Sequence, residues 1–195
     1  MQQLVKEIRS SFAKSEDITI YSIHQLEYMT AVLEETMRLY PPVAQQMARI
    51  SPPGGGTVLG NFVPGGVTHS ALAVEIKSLT NIQITLNPHQ LAANLTESNF
   101  HRPYDFVPER WLPNIDPKSE FARDDRAACQ PFSLGTRNCI GKNLAYAEMK
   151  LILAKLLYNF NLSAGDSMSG DWFDQKSYAI RWKKPVWVKF RAVEE

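Results

Sequence analysis

The sequence predicts a mostly α-helical fold that carries small β-sheets, and three observations point there. Apolar residues recur at helical spacing near the N-terminus and again over residues 141–160. Prolines and aromatics crowd residues 100–117, at a density no helix tolerates. Short glycine-bounded or alternating runs at 50–66 and 172–190 read as hairpins. The composition of the 195 residues, 44% hydrophobic and 21% charged, is that of an ordinary globular chain and argues against long disorder. Lys and Arg number 21 against 20 Asp and Glu, so the basic excess of a nucleic-acid binder is missing and no nucleic-acid partner is expected. No run of 18 apolar residues exists, and MQQLVKEIRSSF lacks the apolar stretch of a signal peptide. The chain therefore reads as having no anchor and as cytoplasmic. Two cysteines, Cys129 and Cys139, are too few for a disulfide scaffold and suit a reducing compartment.

In chain order, Leu4, Val5, Ile8 and Phe12 fit one face of a short helix, which Ser15-Glu16-Asp17 breaks. Ser22 and Gln25 form a capping-box pattern. A second helix is expected over 22–40, through Leu26, Met29, Leu33 and Leu39, ending at Pro41-Pro42. Two turn-rich stretches, residues 52–56 and 64–66, flank a hairpin. The glycines at 54–56 are read as turns, because no Gly-Lys-Ser/Thr of a phosphate loop follows. Residues 100–131 form an extended meander packed by its own aromatics. Residues 141–160 are apolar nearly all round (Leu144, Met149, Ile152, Leu156, Leu157), which predicts a buried helix.

The chemistry concentrates in Phe132-Ser133-Leu134-Gly135-Thr136-Arg137-Asn138-Cys139-Ile140-Gly141, of the form F-x-x-G-x-R-x-C-x-G. Cys139 stands just before the last long helix, where free amides favour a thiolate. Gly135 and Gly141 allow a tight turn and close approach of a flat ligand. Arg137 can pair with a carboxylate on that ligand. Phe132 can shield the sulfur from water. Together they describe a thiolate ligand for a heme iron. A structural cysteine beside a glycine turn is the alternative.

This segment resembles the heme-binding loop of the heme-thiolate monooxygenases, the cytochrome P-450 family. Glu35-Thr36-Met37-Arg38 resembles the family's E-x-x-R helix, and Pro108-Glu109-Arg110-Trp111 its P-E-R-W segment. The resemblance implies the C-terminal, heme-ligating part of that fold. It implies heme b as cofactor, with Cys139 as axial ligand of the iron. It further implies a buried triad of Glu35, Arg38 and Arg110, a propionate contact from Arg49, and a C-terminal hairpin over 172–190. The wording from Gly141 to Met149 is similar to that of fungal secondary-metabolism members. The implied activity is insertion of one oxygen atom from dioxygen into a small, apolar organic substrate, with electrons from an NADPH-dependent reductase. A full-length relative is expected on the cytosolic face of the endoplasmic reticulum membrane.

The chain departs from the family pattern in two ways. Nothing in it matches the family's long distal helix, which leaves a non-catalytic heme binder, or a remnant that holds no heme, as rival readings. An insertion is expected over 68–84, read either as a retained intron or as a surface loop. His24, His69, His89 and His101 show no metal-ligand spacing, and no hydrolase motif occurs.

Overall fold

The computed structural model describes residues 1–43, 49–58, 60–66, 68–69, 90–165, 176 and 180–193. Helices dominate it, with three small two-stranded antiparallel sheets. The core lies where three helices meet: α1 (Gln2–Ser11), α2 (Glu27–Leu39) and α4 (Lys142–Asn159), while a short α3 (Gln90–Asn94) packs on α2 outside this cluster. Leu4 and Ile8 from α1, with Phe12 just past its end, pack on Met29 and Leu33 of α2 and on Ala154 and Leu157 of α4. Full burial of an aliphatic side chain of this size stabilises by about 1.5–3 kcal/mol. Arg9 of α1 donates to the carbonyls of Leu157 and Phe160, satisfying acceptors that the end of α4 leaves open.

The second helix begins later than the sequence expects, and by a different device. Residues Ser22–Gln25 form a 3-10 turn, and α2 starts at Glu27 with no side-chain cap of its own. Ser22 Oγ accepts from the backbone N of Thr19 and donates to the Asp17 carbonyl instead of capping a helix. The cap comes from another helix: the Glu7 carboxylate of α1 accepts from the backbone N of Tyr28 at 2.7 Å and of Met29 at 2.8 Å. One carboxylate thus satisfies two of the four open donors and places negative charge on the positive end of α2.

On its far side α2 faces the meander, and here a buried charge network forms. Glu35, Arg38 and Arg110 are each 0% exposed. Glu35 accepts from Arg38 Nε and Nη2 (both 2.8 Å), from Arg110 Nε (3.1 Å), from Trp111 Nε1 (2.8 Å) and from Val107 N (2.9 Å). Arg38 also donates to the carbonyls of Asn94, Pro103 and Asp105. Arg110 donates to the His101 carbonyl and to Asp124, so two carboxylates meet two guanidinium groups. The Phe100 ring lies against both cations, 5.0 Å from Arg38 and 5.8 Å from Arg110. Burial works against ionisation of Glu35, but the hydrogen bonds from Arg38, Trp111 and Val107, with the charge of Arg38, win and hold its carboxyl below the ordinary value.

The sheets are β1 (Arg49–Ile50) with β4 (Thr68–His69), β2 (Gly56–Val58) with β3 (Asn61–Val63), and β5 (Phe160–Ala164) with β6 (Val188–Ala192). The C-terminal pairing differs from the hairpin expected over 172–190. The strand β6 pairs with β5, the segment that continues directly from α4, and a Phe160–Phe190 edge-on ring contact at 5.8 Å marks the register. Most of the other expected arm lies outside the described residues, as does the expected insertion 68–84 apart from Thr68 and His69.

The helix over 141–160 also differs from expectation. Its bounds are Lys142–Asn159, but only Lys150, Ala154 and Leu157 are buried, while Leu144 is 63% and Ile152 60% exposed. Its all-round apolar pattern is real; only the face toward α1 and α2 finds a partner among the described residues. No helix among them is long and apolar enough to cross a membrane.

Two outcomes follow for stability. Glu35→Ala leaves buried guanidinium charge uncompensated, at about 3–5 kcal/mol, whereas Lys142→Ala at an exposed position should fall within about 0.5 kcal/mol; urea unfolding of both variants checks the contrast, and equal midpoints would sink the account. Because the folded Glu35 value is depressed, its contribution is complete above the unfolded value of 4.5 and is lost as pH falls through the lower folded value. Glu35→Gln should therefore flatten part of the loss of stability as pH falls below 4.5. Separately, Glu7→Ala should cost about 0.5–2 kcal/mol by uncapping α2, with Glu7→Gln recovering part of it.

Candidate functional site

The loop that carries the predicted chemistry is built by turns and two left-handed residues. Ser133 (φ 62°) and Gly135 (φ 76°) reverse the chain around a 3-10 turn at Gly135–Arg137. Nothing lies within 4 Å of a Cβ placed on Gly135, so glycine answers a backbone demand there and not a shortage of space. Gly141 differs from expectation: its φ of −82° suits any residue, and an added Cβ would meet only Cys139 Sγ at 3.8 Å. The loop itself does not require glycine at 141; what a side chain there would obstruct is the space beside the sulfur.

Cys139 is a free, exposed thiol. Its backbone N donates to the Phe132 carbonyl at 2.9 Å, closing the loop, and its carbonyl accepts from Lys142 N where α4 begins. Leu134 (66%), Ile140 (103%) and Leu144 (63%) stand exposed in the same segment. An apolar surface of this kind around a bare sulfur donor suits a flat, largely apolar, metal-bearing macrocycle. Heme fits the residues present on that ground. Cys139 would hold the iron, and Leu134, Ile140 and the uncovered backbone at Gly141 would meet the ring.

The remaining predicted residues fall as follows. Phe132 is half-buried with its ring 5.3 Å from that of Tyr146, so it props the loop against α4. Arg137 contributes its backbone to the 3-10 turn and Arg49 its backbone to β1; their side chains lie outside what is described. Glu35, Arg38 and Arg110 come together as a network distinct from the Cys139 loop. The other thiol, Cys129, is buried and pushed up to about 12, first by burial and then by the charge of Glu34.

Several participants were not picked out from the sequence. Tyr146 donates to Glu34 Oε1 at 2.6 Å and so ties α4, and with it Phe132 and the Cys139 loop, to α2. Burial and that bond raise the Tyr146 phenol well above its ordinary range. Asp124 closes the charge balance on Arg110. Asn94 donates to the Arg38 carbonyl at 2.7 Å and accepts from Gln90, joining α3 to the network. The adjacent acids of Glu34-Glu35 and Asp124-Asp125 were the available signals. Consecutive positions on a helix cannot share one face, so a doublet can serve two partners.

Comparison with known proteins agrees with this geometry. The family model described as Cytochrome P450 matches residues 1–69 and 75–189. The chain is 45% identical over 190 residues to cytochrome P450 monooxygenase vrtK of Penicillium aethiopicum, covering 97% of this chain and 32% of the relative. It is 44% identical over 192 residues to averantin hydroxylase of Dothistroma septosporum, covering 97% and 33%. It is 41% identical over 198 residues to versicolorin B desaturase of the same fungus, covering 100% and 33%. The chain thus spans about a third of the length of the curated relatives it matches. A free thiol on a glycine turn at a helix start, a buried Glu-Arg-Arg network and a family match over nearly the whole chain place this protein in the cytochrome P450 family.

Proposed function

We propose that this chain forms the thiolate-bearing wall of a heme site in a monooxygenase, with Cys139 as the axial ligand. The observation that carries the reading is the exposed, unpaired Cys139 thiol on an ordered loop flanked by exposed Leu134 and Ile140. A cysteine whose role was packing would be sealed, as Cys129 is. When bound, heme supplies the redox and oxygen-activating chemistry, and thiolate donation favours O–O cleavage. The residues of this chain do the holding. The Phe132 carbonyl fixes the Cys139 backbone, and Phe132 on Tyr146 sets the loop against α4; the exposed Leu134 and Ile140 would keep water from the sulfur once the ring lies against them. Arg137 and Arg49 are assigned to the heme propionates. Glu35, Arg38 and Arg110 support the helix from behind and touch no reacting atom.

In the whole protein, the reading is a monooxygenase that places one oxygen atom of O2 on a small, apolar organic substrate. Electrons come from an NADPH-dependent reductase, at the cytosolic face of the endoplasmic reticulum. The relatives named averantin hydroxylase and versicolorin B desaturase make averantin and versicolorin B the molecules to try first. A second reading, a heme binder without turnover, draws on the exposed Leu144 and Ile152, which leave much of α4 open to water.

Three outcomes test these readings. The reduced, carbon-monoxide-treated chain loaded with heme should give the red-shifted band of a thiolate ligand, and Cys139→His should abolish that band even where heme is retained; an unchanged spectrum would remove Cys139 from the site. Before loading, a thiol reagent should modify one residue of the folded chain, Cys139, and heme should protect it; modification of Cys129 first would contradict the burial difference. With reductase, NADPH and small apolar substrates, coupled product above a Cys139→Ala control would exclude the second reading, and peroxide alone would favour it.

A further inference from the structure

A groove of about 330 Å3 opens between the Ser22–Gln25 turn, α2 and α4, where α4 leaves the end of the Cys139 loop. Ile23, His24, Glu34, Lys142, Tyr146 and Lys150 line it. Lys150 is 8% exposed, yet its ammonium makes no hydrogen bond or ion pair with any described residue. Its stem is buried while its nitrogen still meets water in the groove, so the amine is both unbonded and reachable. The carboxylates nearest in sign are already engaged. Glu34 accepts from the Tyr146 hydroxyl at 2.6 Å, and Glu7 accepts from Tyr28 N and Met29 N. His24 and Lys142, at the exposed rim, offer no anion.

We propose that Lys150 is a nucleophilic amine that captures small aldehydes entering this groove, as a covalent imine. The site has what that chemistry needs: a lysine nitrogen free of any partner, a channel to it, and an apolar wall from Ile23 and Ala147 to receive the aldehyde's substituent. Burial draws the amine below its ordinary basicity, against the opposing charges of Glu34 and Glu7, which raises the neutral fraction. The nitrogen lone pair adds to the carbonyl carbon, and the carbonyl oxygen takes up the proton the amine loses. The resulting carbinolamine then expels that oxygen as water to leave a C=N bond, so no oxidant or reductant takes part. Tyr146 does not compete for the carbonyl, since its hydroxyl stays protonated and donates to Glu34.

The test needs no variant and no heme. The folded chain is treated at pH 7 with benzaldehyde and sodium cyanoborohydride, which reduces any imine to a stable benzylamine, and labelled lysines are mapped by mass spectrometry. Exposed Lys6 and Lys118 serve as internal references. Lys150 should be benzylated faster than either, by about tenfold for each unit its basicity is lowered, and the advantage should vanish in about 8 M urea. Labelling of Lys150 no faster than the references in the folded chain, or appearing only in urea, would overturn the assignment.

Discussion

The packing of the meander on α2 depends on how one carboxylate, that of Glu35, is held out of water. A lone buried carboxylate would protonate or unfold its surroundings. This one receives five hydrogen bonds, from two arginines, an indole and a backbone amide. Meeting that demand pulls Val107, Arg110 and Trp111 of the meander onto α2, though the segment has only short 3-10 turns and no α-helix of its own. The order of residues 100–128 is therefore borrowed from α2, and would be lost if the charge on Glu35 were lost.

The network also has to be neutral, and the sequence pattern alone does not make it so. Glu35, Arg38 and Arg110 sum to a net positive charge. Asp124 supplies the missing negative charge on Arg110, and Phe100 places its ring face against both guanidinium groups. A partner reached through loop closure, fourteen residues from Arg110, has no periodicity to announce it. The same reason hides Glu7, whose carboxylate caps a helix that begins 20 residues later. Helix capping by a neighbouring helix leaves no local signature, and the local signature that did exist, Ser22 with Gln25, was spent on a 3-10 turn.

What could be read from sequence was whatever local chemistry decides. Spacing predicted the helix with Leu4 and Ile8 buried, glycines and prolines predicted the β2–β3 hairpin, and the cysteine loop carried its own chemistry. What could not be read was partner choice. The strand at Val188–Ala192 alternates as expected but pairs with β5, because the chain leaving α4 lies alongside it. The apolar circumference of α4 predicted burial all round, yet burial requires a partner on each side, and composition counts apolar residues without saying what meets them. Gly141 shows the converse: its backbone angles are open to any residue, so the reason for glycine lies in the space beside the sulfur.

The two adjacent glutamates of α2 explain how an exposed thiol can sit on an ordered loop. Side chains one residue apart on a helix point about 100° apart, so Glu35 turns to the meander while Glu34 turns to α4. Through Tyr146, Glu34 fixes the first turns of α4, and through the Tyr146 ring it props Phe132. The Phe132 carbonyl then holds the Cys139 amide. Each link is a buried or half-buried contact made behind the loop, and none uses the face on which the sulfur stands. The sulfur can therefore remain bare without leaving the loop unsupported, which is the condition a site must meet if its ligand is to arrive after the chain has folded. The same arrangement turns Glu34 toward Tyr146, so that Lys150, one turn further along α4, feels the charges of Glu34 and Glu7 without a bond to either.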